Sequence, residues 1–406
     1  MSETIALKEY EDWQGALAQE DVLFIANQLN QPHQRWLLRP QLQHDGYVLN
    51  PQQYVGVVQL PSGLCCRVQP KVPISSVFTM LAIAYDVPQF DDAAARYETL
   101  EDLLAFLVAH FAQLVQQHID HGLYRHYIEE EANLAMVRGR IVFADDLRHN
   151  ALLRQRTYCR FSELTWDIPE NQIIRQVIHL LCGWNFAQDL QLQLRAIDSQ
   201  LAEVTPTHFT TSVLDTFRYH RQNDVYLPTH QLCRLFLDLF SLTEQSGELA
   251  FRTFLLNMNQ LFEKFVTRML ERYIPTTWHF QAQQKQYLDE HNRVSIKPDI
   301  VVSMPSHPPV VIDCKYKHIK DRSKNEDYYQ MVAYCTALAS FCGVLLSPLH
   351  NDISMPIIEI QHSPVKIHTI LIDLSKCGAS LEQECQRVAE HLRNLANALT
   401  DETPSR

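Results

Sequence analysis

Several features that mark common protein classes are missing from this 406-residue sequence. No apolar run approaches the roughly 20 residues of a membrane-spanning helix. The first residues, MSETIALKEYEDW, lack the basic and apolar regions of a signal peptide. The ten cysteines include no C-x-x-C pair, and most lie within apolar runs. We therefore expect reduced core thiols in a cytoplasmic protein with no membrane association, without a disulfide framework or a zinc site.

An excess of basic residues is also missing. The chain has 35 Lys and Arg against 47 Asp and Glu, which gives a formal net charge of −12 at pH 7. Non-specific binding to nucleic acid depends mainly on phosphate neutralisation, so a chain of this charge needs a local basic groove or a partner that holds the DNA. No G-x-x-x-x-G-K-[ST] loop is present, so we expect no nucleotide site in this chain.

What is present divides into three predicted regions. Residues 1–95 are β-rich, with LPSG between YVGVVQ and LCCRVQPKV as a hairpin signal. Residues 96–245 are mainly helical. Residues 246–406 alternate helices and strands, beginning with a helix predicted over 248–273, and predict an α/β layer on one mixed sheet flanked by helices. The fold class expected for the whole chain is α/β, or α+β overall.

Within the last region, two strand-like segments carry acidic residues among apolar ones. VSIKPDIVV contains Asp299, and PVVIDCKYK contains Asp313 and Lys315. Strand alternation places Asp313 and Lys315 on one face, and a return through the proline-rich MPSHPP brings Asp299 beside them. Two carboxylates and an ammonium are the groups that a Mg²⁺-dependent phosphodiesterase needs to hold its cation and activate water. The alternative is a salt-bridged surface hairpin.

Further groups are candidates for the same site. Glu263, on the preceding helix, would complete the acidic cluster, and the main-chain carbonyl of Cys314 is a possible extra oxygen donor. Gln330 and Tyr334, at i and i+4 of the next helix, share a face that can look back at the site. The alternatives are a solvent-facing charge at Glu263 and ordinary polar packing at Gln330 and Tyr334.

The segments around these residues resemble the PD-(D/E)xK nuclease motif and, more specifically, the McrC family of McrBC-type modification-dependent restriction systems. The resemblance rests on LFEKFV around Glu263, KPDIVV around Asp299, VVIDCKYK around Asp313 and Lys315, and YYQMVAYC around Gln330. VGVVQLPSG, RVQPKV, VRGRIVF and DIPENQIIR extend it over nearly the whole chain.

The resemblance implies a restriction-endonuclease-like C-terminal domain that hydrolyses DNA phosphodiester bonds with Mg²⁺. It implies metal ligation by the side chains of Asp299, Asp313 and Glu263 and by the main-chain carbonyl of Cys314. Lys315 and Gln330 complete the implied catalytic set. Cys314 stands where the family often has Thr, and its side chain is expected to face away from the metal.

The resemblance also implies a division of labour. A separate McrB-like AAA+ GTPase would recognise double-stranded DNA carrying modified cytosine, and this chain would dock on it through residues 1–95, stimulate GTP hydrolysis and cut the DNA. Two alternatives stay open: a non-catalytic activator of the GTPase, and a stand-alone DNA repair nuclease of the same fold.

Arg138 and Arg140, in VRGRIVF, are candidates for a contact with the partner's nucleotide. The alternative is that they hold their strand against nearby acids such as Glu129 to Glu131. The role of Lys71, in QPKV, is open in the same way.

Overall fold

The computed structural model describes residues 4–30, 37–43, 46–87, 99–152, 155–240, 254–305, 307–316, 325–349, 356–376 and 378–401. The strands in these ranges are β1 (Thr4–Lys8), β2 (Trp13–Gly15), β3 (Arg39–Gln43), β4 (Gly46–Asn50), β5 (Tyr54–Gln59), β6 (Cys65–Gln69), β7 (His126–Leu134), β8 (Arg140–Ile141), β9 (Thr157–Thr165), β10 (Phe254–Asn257), β11 (His279–Ala282), β12 (Gln286–Tyr287), β13 (Ser295–Ile296), β14 (Ile300–Ser303), β15 (Val310–Cys314), β16 (Cys342–Pro348), β17 (Ile358–Glu359) and β18 (Lys366–Ile372).

The helices of the same ranges are α1 (Gln19–Phe24), α2 (Ile74–Tyr85), α3 (Leu100–His121), α4 (Phe143–Asn150), α5 (Pro169–Cys182), α6 (Gln188–Gln200), α7 (Leu227–Phe240), α8 (Met258–Tyr273), α9 (Asn325–Ala337) and α10 (Gly378–Asp401). A π-helical turn, Ile25–Asn30, continues α1, and short 3₁₀ helices span Thr211–Asp215 and Asp224–Tyr226. Across the described residues, no helix combines the length and apolarity needed to cross a membrane.

The chain forms two compact units. One combines the residues up to Leu104 with those from Leu239 onward, and the other consists of Ala105–Asp238. The first unit therefore draws on both ends of the chain. The predicted boundaries at 95 and 245 stay predictions.

A six-stranded mixed sheet forms the centre of the first unit, in the order β11-β14-β15-β16-β18-β17. β15, β16 and β18 are parallel, whereas β14 is antiparallel to both β11 and β15. Helix α9 packs on β15 and β16, and Met331 and Cys335 of this helix lie in a buried core with Val311 and Leu345. The mixed α/β fold predicted from the sequence is confirmed.

The hairpin that carries the acidic motifs forms as predicted. Ile300 pairs with Ile312 and Val302 pairs with Val310, so β14 returns directly into β15. Both strands consist mainly of buried β-branched residues, which pack well on the pleated surface of a central sheet. The long apolar run of each strand explains why the segment is buried on both faces.

A second sheet in the same unit has the order β1-β6-β5-β10. Its last strand corrects the helix predicted over 248–273, of which residues 248–253 lie outside the described ranges. Phe254–Asn257 pairs with β5 instead, and α8 begins only at Met258. The Asn257 side chain caps α8 by accepting hydrogen bonds from the main-chain N–H groups of Asn259 and Gln260. The apolar run FLLN is compatible with helix or strand, and pairing with β5 decides between them.

The second unit contains the antiparallel sheet β7-β9-β8 beside helices α5 and α6. On this sheet Arg138 Nη1 lies 2.5 Å from Glu163 Oε2, while Glu131 pairs with Arg160. Arg138 therefore pairs with Glu163 and not with any of Glu129 to Glu131. Arg140 is exposed to solvent.

We predict that Gly56→Ala lowers the free energy of unfolding by at least about 2 kcal/mol, because left-handed backbone alone costs roughly 1–2 kcal/mol with a Cβ. Gly56 has a φ of +138°, and a Cβ there would fall on the carbonyl oxygen of Phe254 in β10. Urea unfolding measures the loss. The control is Gly63→Ala, at a φ of +90° with nothing within 4 Å of the added atom. Equal losses in both variants would contradict a close approach of β5 and β10.

Candidate active site

Two carboxylates face each other across the β14–β15 hairpin. The register that pairs Ile300 with Ile312 places Asp299 opposite Asp313, and directly opposed residues of an antiparallel pair point to the same face. Asp299 Oδ2 accepts a hydrogen bond of 2.7 Å from the main-chain N–H of Cys314, which ties the two strand ends together. Asp313 is only 3% exposed. The hairpin thus brings together the two acids that the sequence motif predicts.

Lys315 lies against the same acids. Its Nζ is 2.6 Å from Asp313 Oδ2 and 3.8 Å from Asp327 Oδ1, and it donates a hydrogen bond of 2.9 Å to Gln330 Oε1. Gln330 Nε2 in turn donates to the Tyr334 hydroxyl at 2.6 Å. The interpretation of Gln330 and Tyr334 as residues that look back at the site agrees with these contacts. Asp327 is an acidic neighbour that the sequence motif did not single out.

Glu263 reaches the site from α8 through a residue that sequence reasoning missed. Gln283 Nε2 donates a hydrogen bond to Glu263 Oε1 and another, of 3.1 Å, to Asp299 Oδ1. The main-chain N–H of Gln283 also donates to the carbonyl oxygen of Asp299 at 2.9 Å. Gln283 has a φ of +54°, an uncommon conformation for a residue with a Cβ. Nothing in the run QAQQKQ distinguishes it from the glutamines around it.

The crowding of negative charge changes how these groups hold protons. Burial, reinforced by the charge of Asp299, raises the pKa of Glu263 to about 7. Burial and the charge of Asp299 also raise the pKa of Asp313, to about 6, although Lys315 opposes the change. Burial alone would lower the pKa of Lys315, but Asp313 and Asp327 raise it above its ordinary value. Lys315 is therefore a cation at neutral pH.

The donor chemistry of the site fits a hard divalent cation. Carboxylates from Glu263, Asp299, Asp313 and Asp327 converge here, and the last three act electrostatically on the Lys315 ammonium. Within the described ranges, no three His, Cys, Asp or Glu side chains converge closely enough to hold a metal ion by themselves. Mg²⁺ suits such a site, because it is usually held by one or two carboxylates together with waters and phosphate oxygens.

Cys314 contributes its main chain at this point. Its N–H is committed to Asp299, and burial, with the charges of Asp299 and Asp313, raises the pKa of its thiol well above the ordinary value. A protonated thiol is a poor metal ligand. The role of its carbonyl oxygen stays a prediction.

A family model described as "McrBC 5-methylcytosine restriction system component" matches residues 49–348. The chain belongs to this family. The McrBC match confirms the resemblance inferred from the motifs, and it contains every candidate site residue from Glu263 to Gln330. "Type IV methyl-directed restriction enzyme EcoKMcrBC" from Escherichia coli (strain K12) is 22% identical over 355 residues, which are 80% of this chain and 98% of that relative.

A solved structure shares the fold of this McrBC family member. It is the refined half-complex from a tetradecameric assembly of Thermococcus gammatolerans McrB AAA+ hexamers with bound McrC. The similarity has a TM-score of 0.60 at 20% identity and covers 96% of this chain and 100% of the matched one. The α/β architecture described above is therefore shared over essentially the full length of both chains.

We predict that Glu263→Gln, measured without divalent cations, raises the free energy of unfolding at pH 8 by roughly 1–3 kcal/mol, because the pKa of this carboxyl is raised on folding. Between its ordinary pKa of 4.5 and the folded value of about 7, the folded chain keeps a proton that the unfolded chain releases. Stability from this group therefore falls as the pH rises through that window. At pH 5 the gain should nearly vanish.

Glu271→Gln is the matched control for this measurement. Glu271 is an exposed acid on the same helix, paired with Arg268 on the surface. Its substitution should change stability by a few tenths of a kcal/mol at either pH, as is usual for surface ion pairs. A gain for Glu263→Gln that is equal at pH 5 and pH 8 would show that Glu263 does not carry the buried charge.

Proposed function

We propose that this chain is the Mg²⁺-dependent DNA endonuclease subunit of a modification-dependent restriction system. The observation that carries the proposal is the opposition of Asp299 and Asp313 on adjacent central strands, with Lys315 against Asp313, in a chain of the McrBC family. A salt-bridged surface hairpin does not account for this arrangement, because Asp313 is buried and acids outnumber the lysine.

The metal would be held by the carboxylates of Asp299, Asp313 and Glu263 and by the main-chain carbonyl of Cys314. When bound, Mg²⁺ supplies Lewis-acid polarisation of the scissile phosphate and a bound water of lowered pKa. The other contributions, orienting the carboxylates and stabilising charge on the phosphate, come from side chains of this protein. Gln283 orients Glu263 and Asp299 through its two hydrogen bonds, and so holds the two carboxylates on one side of the site.

Lys315 acts as a fixed positive charge in this proposal. Asp313 and Asp327 keep its ammonium protonated, and Gln330 fixes the position of Nζ. A protonated lysine in a partly buried site stabilises the negative charge that develops on a phosphodiester as water attacks. Tyr334 holds Gln330 in place, and its hydroxyl donates onward to the carbonyl oxygen of Lys297 at 3.3 Å. The lysine is therefore held from two sides before the substrate arrives.

The DNA is delivered by a partner in this proposal. The net charge of −12 and the absence of a phosphate-binding loop in the sequence both favour a chain that neither grips DNA strongly nor hydrolyses nucleotide alone. The matched solved chain is McrC bound to McrB AAA+ hexamers. We infer that an AAA+ GTPase of the same kind recognises DNA carrying modified cytosine and brings it to this site.

Asp313→Ala and Lys315→Ala should each lower DNA cleavage at least about a hundredfold, because the first removes a ligand of the proposed metal and the second removes the positive charge that stabilises the reacting phosphate. The assay is cleavage of cytosine-methylated plasmid by the full chain with its partner GTPase, GTP and Mg²⁺. Glu271→Ala, which removes an exposed acid on α8, is the control and should cleave at the wild-type rate. Full cleavage by either site variant would exclude the assignment.

Cleavage of DNA and stimulation of the partner's GTP hydrolysis should be separable functions. Asp299→Ala removes a carboxylate of the site, so we expect lost cleavage together with wild-type stimulation of the partner's GTP hydrolysis. Steady-state GTPase rates with the wild-type and variant chains measure this. Loss of stimulation in a variant with a wild-type melting temperature would tie activation to the nuclease site. Cleavage of DNA by the wild-type chain without any GTPase would favour a stand-alone repair nuclease.

A further inference from the structure

A polar cluster beside the β14–β15 hairpin joins the residue after Lys315 to residues from the N-terminal part of the chain. It consists of Glu9, Tyr10, Lys71 and Tyr316, which we call the Glu9 cluster. Glu9 and Tyr316 are 2% and 3% exposed. The Tyr316 hydroxyl donates to Glu9 Oε2 at 3.4 Å, across 307 positions of sequence. Both residues belong to the same compact unit.

Two hydrogen bonds hold the Glu9 carboxyl group in this position. Besides that of the Tyr316 hydroxyl, Glu9 Oε2 accepts one of 3.3 Å from the main-chain N–H of Lys71. Burial raises the pKa of Glu9 to about 7, and the charge of Lys71 opposes the rise. Glu9 Oε1 is buried without a hydrogen-bond partner. A buried carboxylate is costly unless it is compensated. The Lys71 ammonium lies 4.1 Å from the centre of the Tyr10 ring and 5.5 Å from that of the Tyr316 ring.

Tyr316 is the residue directly after the catalytic lysine. The main-chain N–H of Lys315 donates to the carbonyl oxygen of Leu346 at 2.8 Å, which extends the β15–β16 ladder by one residue. Tyr316 follows that last bond, and its ring packs 5.7 Å from that of Phe262, the neighbour of Glu263 on α8. The Tyr316 side chain thus contacts α8, the helix that carries Glu263. Its main chain directly follows Lys315.

We propose that the Glu9 cluster positions Lys315, and that the turn following the N-terminal strand β1 is thereby a working part of the cutting centre. The inference rests on the proposed nuclease function. Tyr316 is the anchor, because successive residues of an extended chain point to opposite sides, and holding one fixes the direction of the next. Glu9 lies outside residues 49–348, the span matched by the family model, so the match does not supply this role.

The physical reason for such an anchor is the precision that the ammonium needs. A displacement of about 1 Å at a reacting group can cost on the order of a hundredfold in rate. Lys315 is fixed at its tip by Asp313 and Gln330, and its main-chain N–H is held by the ladder bond to Leu346. The Glu9 cluster adds a restraint on the next residue, Tyr316.

Two conservative variants test the proposal, Tyr316→Phe and Glu9→Gln. Each keeps the volume of the side chain and removes one part of the contact, the hydroxyl or the acid. We expect each to lower kcat for DNA cleavage by about fivefold to tenfold with KM unchanged, the scale of one lost hydrogen bond of ordinary strength. The double variant should lose no more than the worse single one, because both act through the same contact. All are assayed as full chains with the partner GTPase.

Tyr273→Phe is the matched control, since the Tyr273 hydroxyl on α8 donates to Glu382 at 2.9 Å away from the site. It should leave kcat unchanged. A purely structural role for the Glu9 cluster would lower the melting temperature and leave kcat at the wild-type value in the folded fraction, and this result would overturn the proposal.

Hydrogen exchange gives a readout that needs no cleavage. The Lys315 amide should exchange several-fold faster in Tyr316→Phe and Glu9→Gln, with no change in Tyr273→Phe, because its ladder bond loses its anchor. Unchanged exchange would refute the anchoring role whether or not the wild-type chain cuts DNA. A wild-type chain that does not cut, combined with faster exchange in the variants, would remove the proposed function and keep the anchor.

Discussion

The site depends on carboxylates that repel one another and are nevertheless held side by side. The antiparallel register of β14 and β15 fixes Asp299 against Asp313, and α8 brings Glu263 to them. The ammonium of Lys315 lies against Asp313 and offsets part of this charge. Burial first, and the charge of Asp299 second, raise the pKa values of Glu263 and Asp313, which expresses the cost of holding these acids together. We expect the divalent cation of the proposed function to relieve this cost.

The framework that sustains this repulsion is a mixed sheet whose central strands, β14, β15 and β16, are mainly apolar and buried on both faces. β15 and β16 are buried along nearly their whole length, and α9 covers them with Met331 and Cys335. Burial of this apolar surface is the main favourable contribution to folding. This burial offsets the cost of placing charged side chains at the end of a central strand. In an isolated hairpin the same acids would be solvated and would move apart.

The N-terminal segment belongs to the same unit as the strands of the candidate site. β10, which directly precedes α8, pairs with β5, and Asn257 ends that strand and caps the helix that carries Glu263. Glu9, in the turn after β1, meets Tyr316. Two elements of the site are therefore fixed by residues from the first 70 positions of the chain. A chain of this kind couples the region proposed to contact a partner with the region proposed to cut DNA.

Much of this organisation could be predicted from the sequence because the signals are local. Alternation in VVIDCKYK, the proline-rich return before it and the helical spacing of Gln330 and Tyr334 each involve a few neighbouring residues. The strand at 254–257 was missed for the opposite reason. FLLN has no period of its own, and its partner β5 lies almost 200 residues away. Gln283 was missed because its role depends on a backbone turn and on two acids from other elements.

The amino-acid sequence by itself determined the mixed sheet, the acidic hairpin and the family, because strand periodicity and the spacing of Asp299, Asp313 and Lys315 are written in consecutive residues. Only the tertiary structure decided which further groups contact the candidate residues. Gln283, after β11, joins Glu263 to Asp299, and Glu9, in the turn after β1, reaches Tyr316. Such contacts arise when distant elements pack together to bury apolar surface, and no local pattern encodes which polar side chains that packing brings into reach.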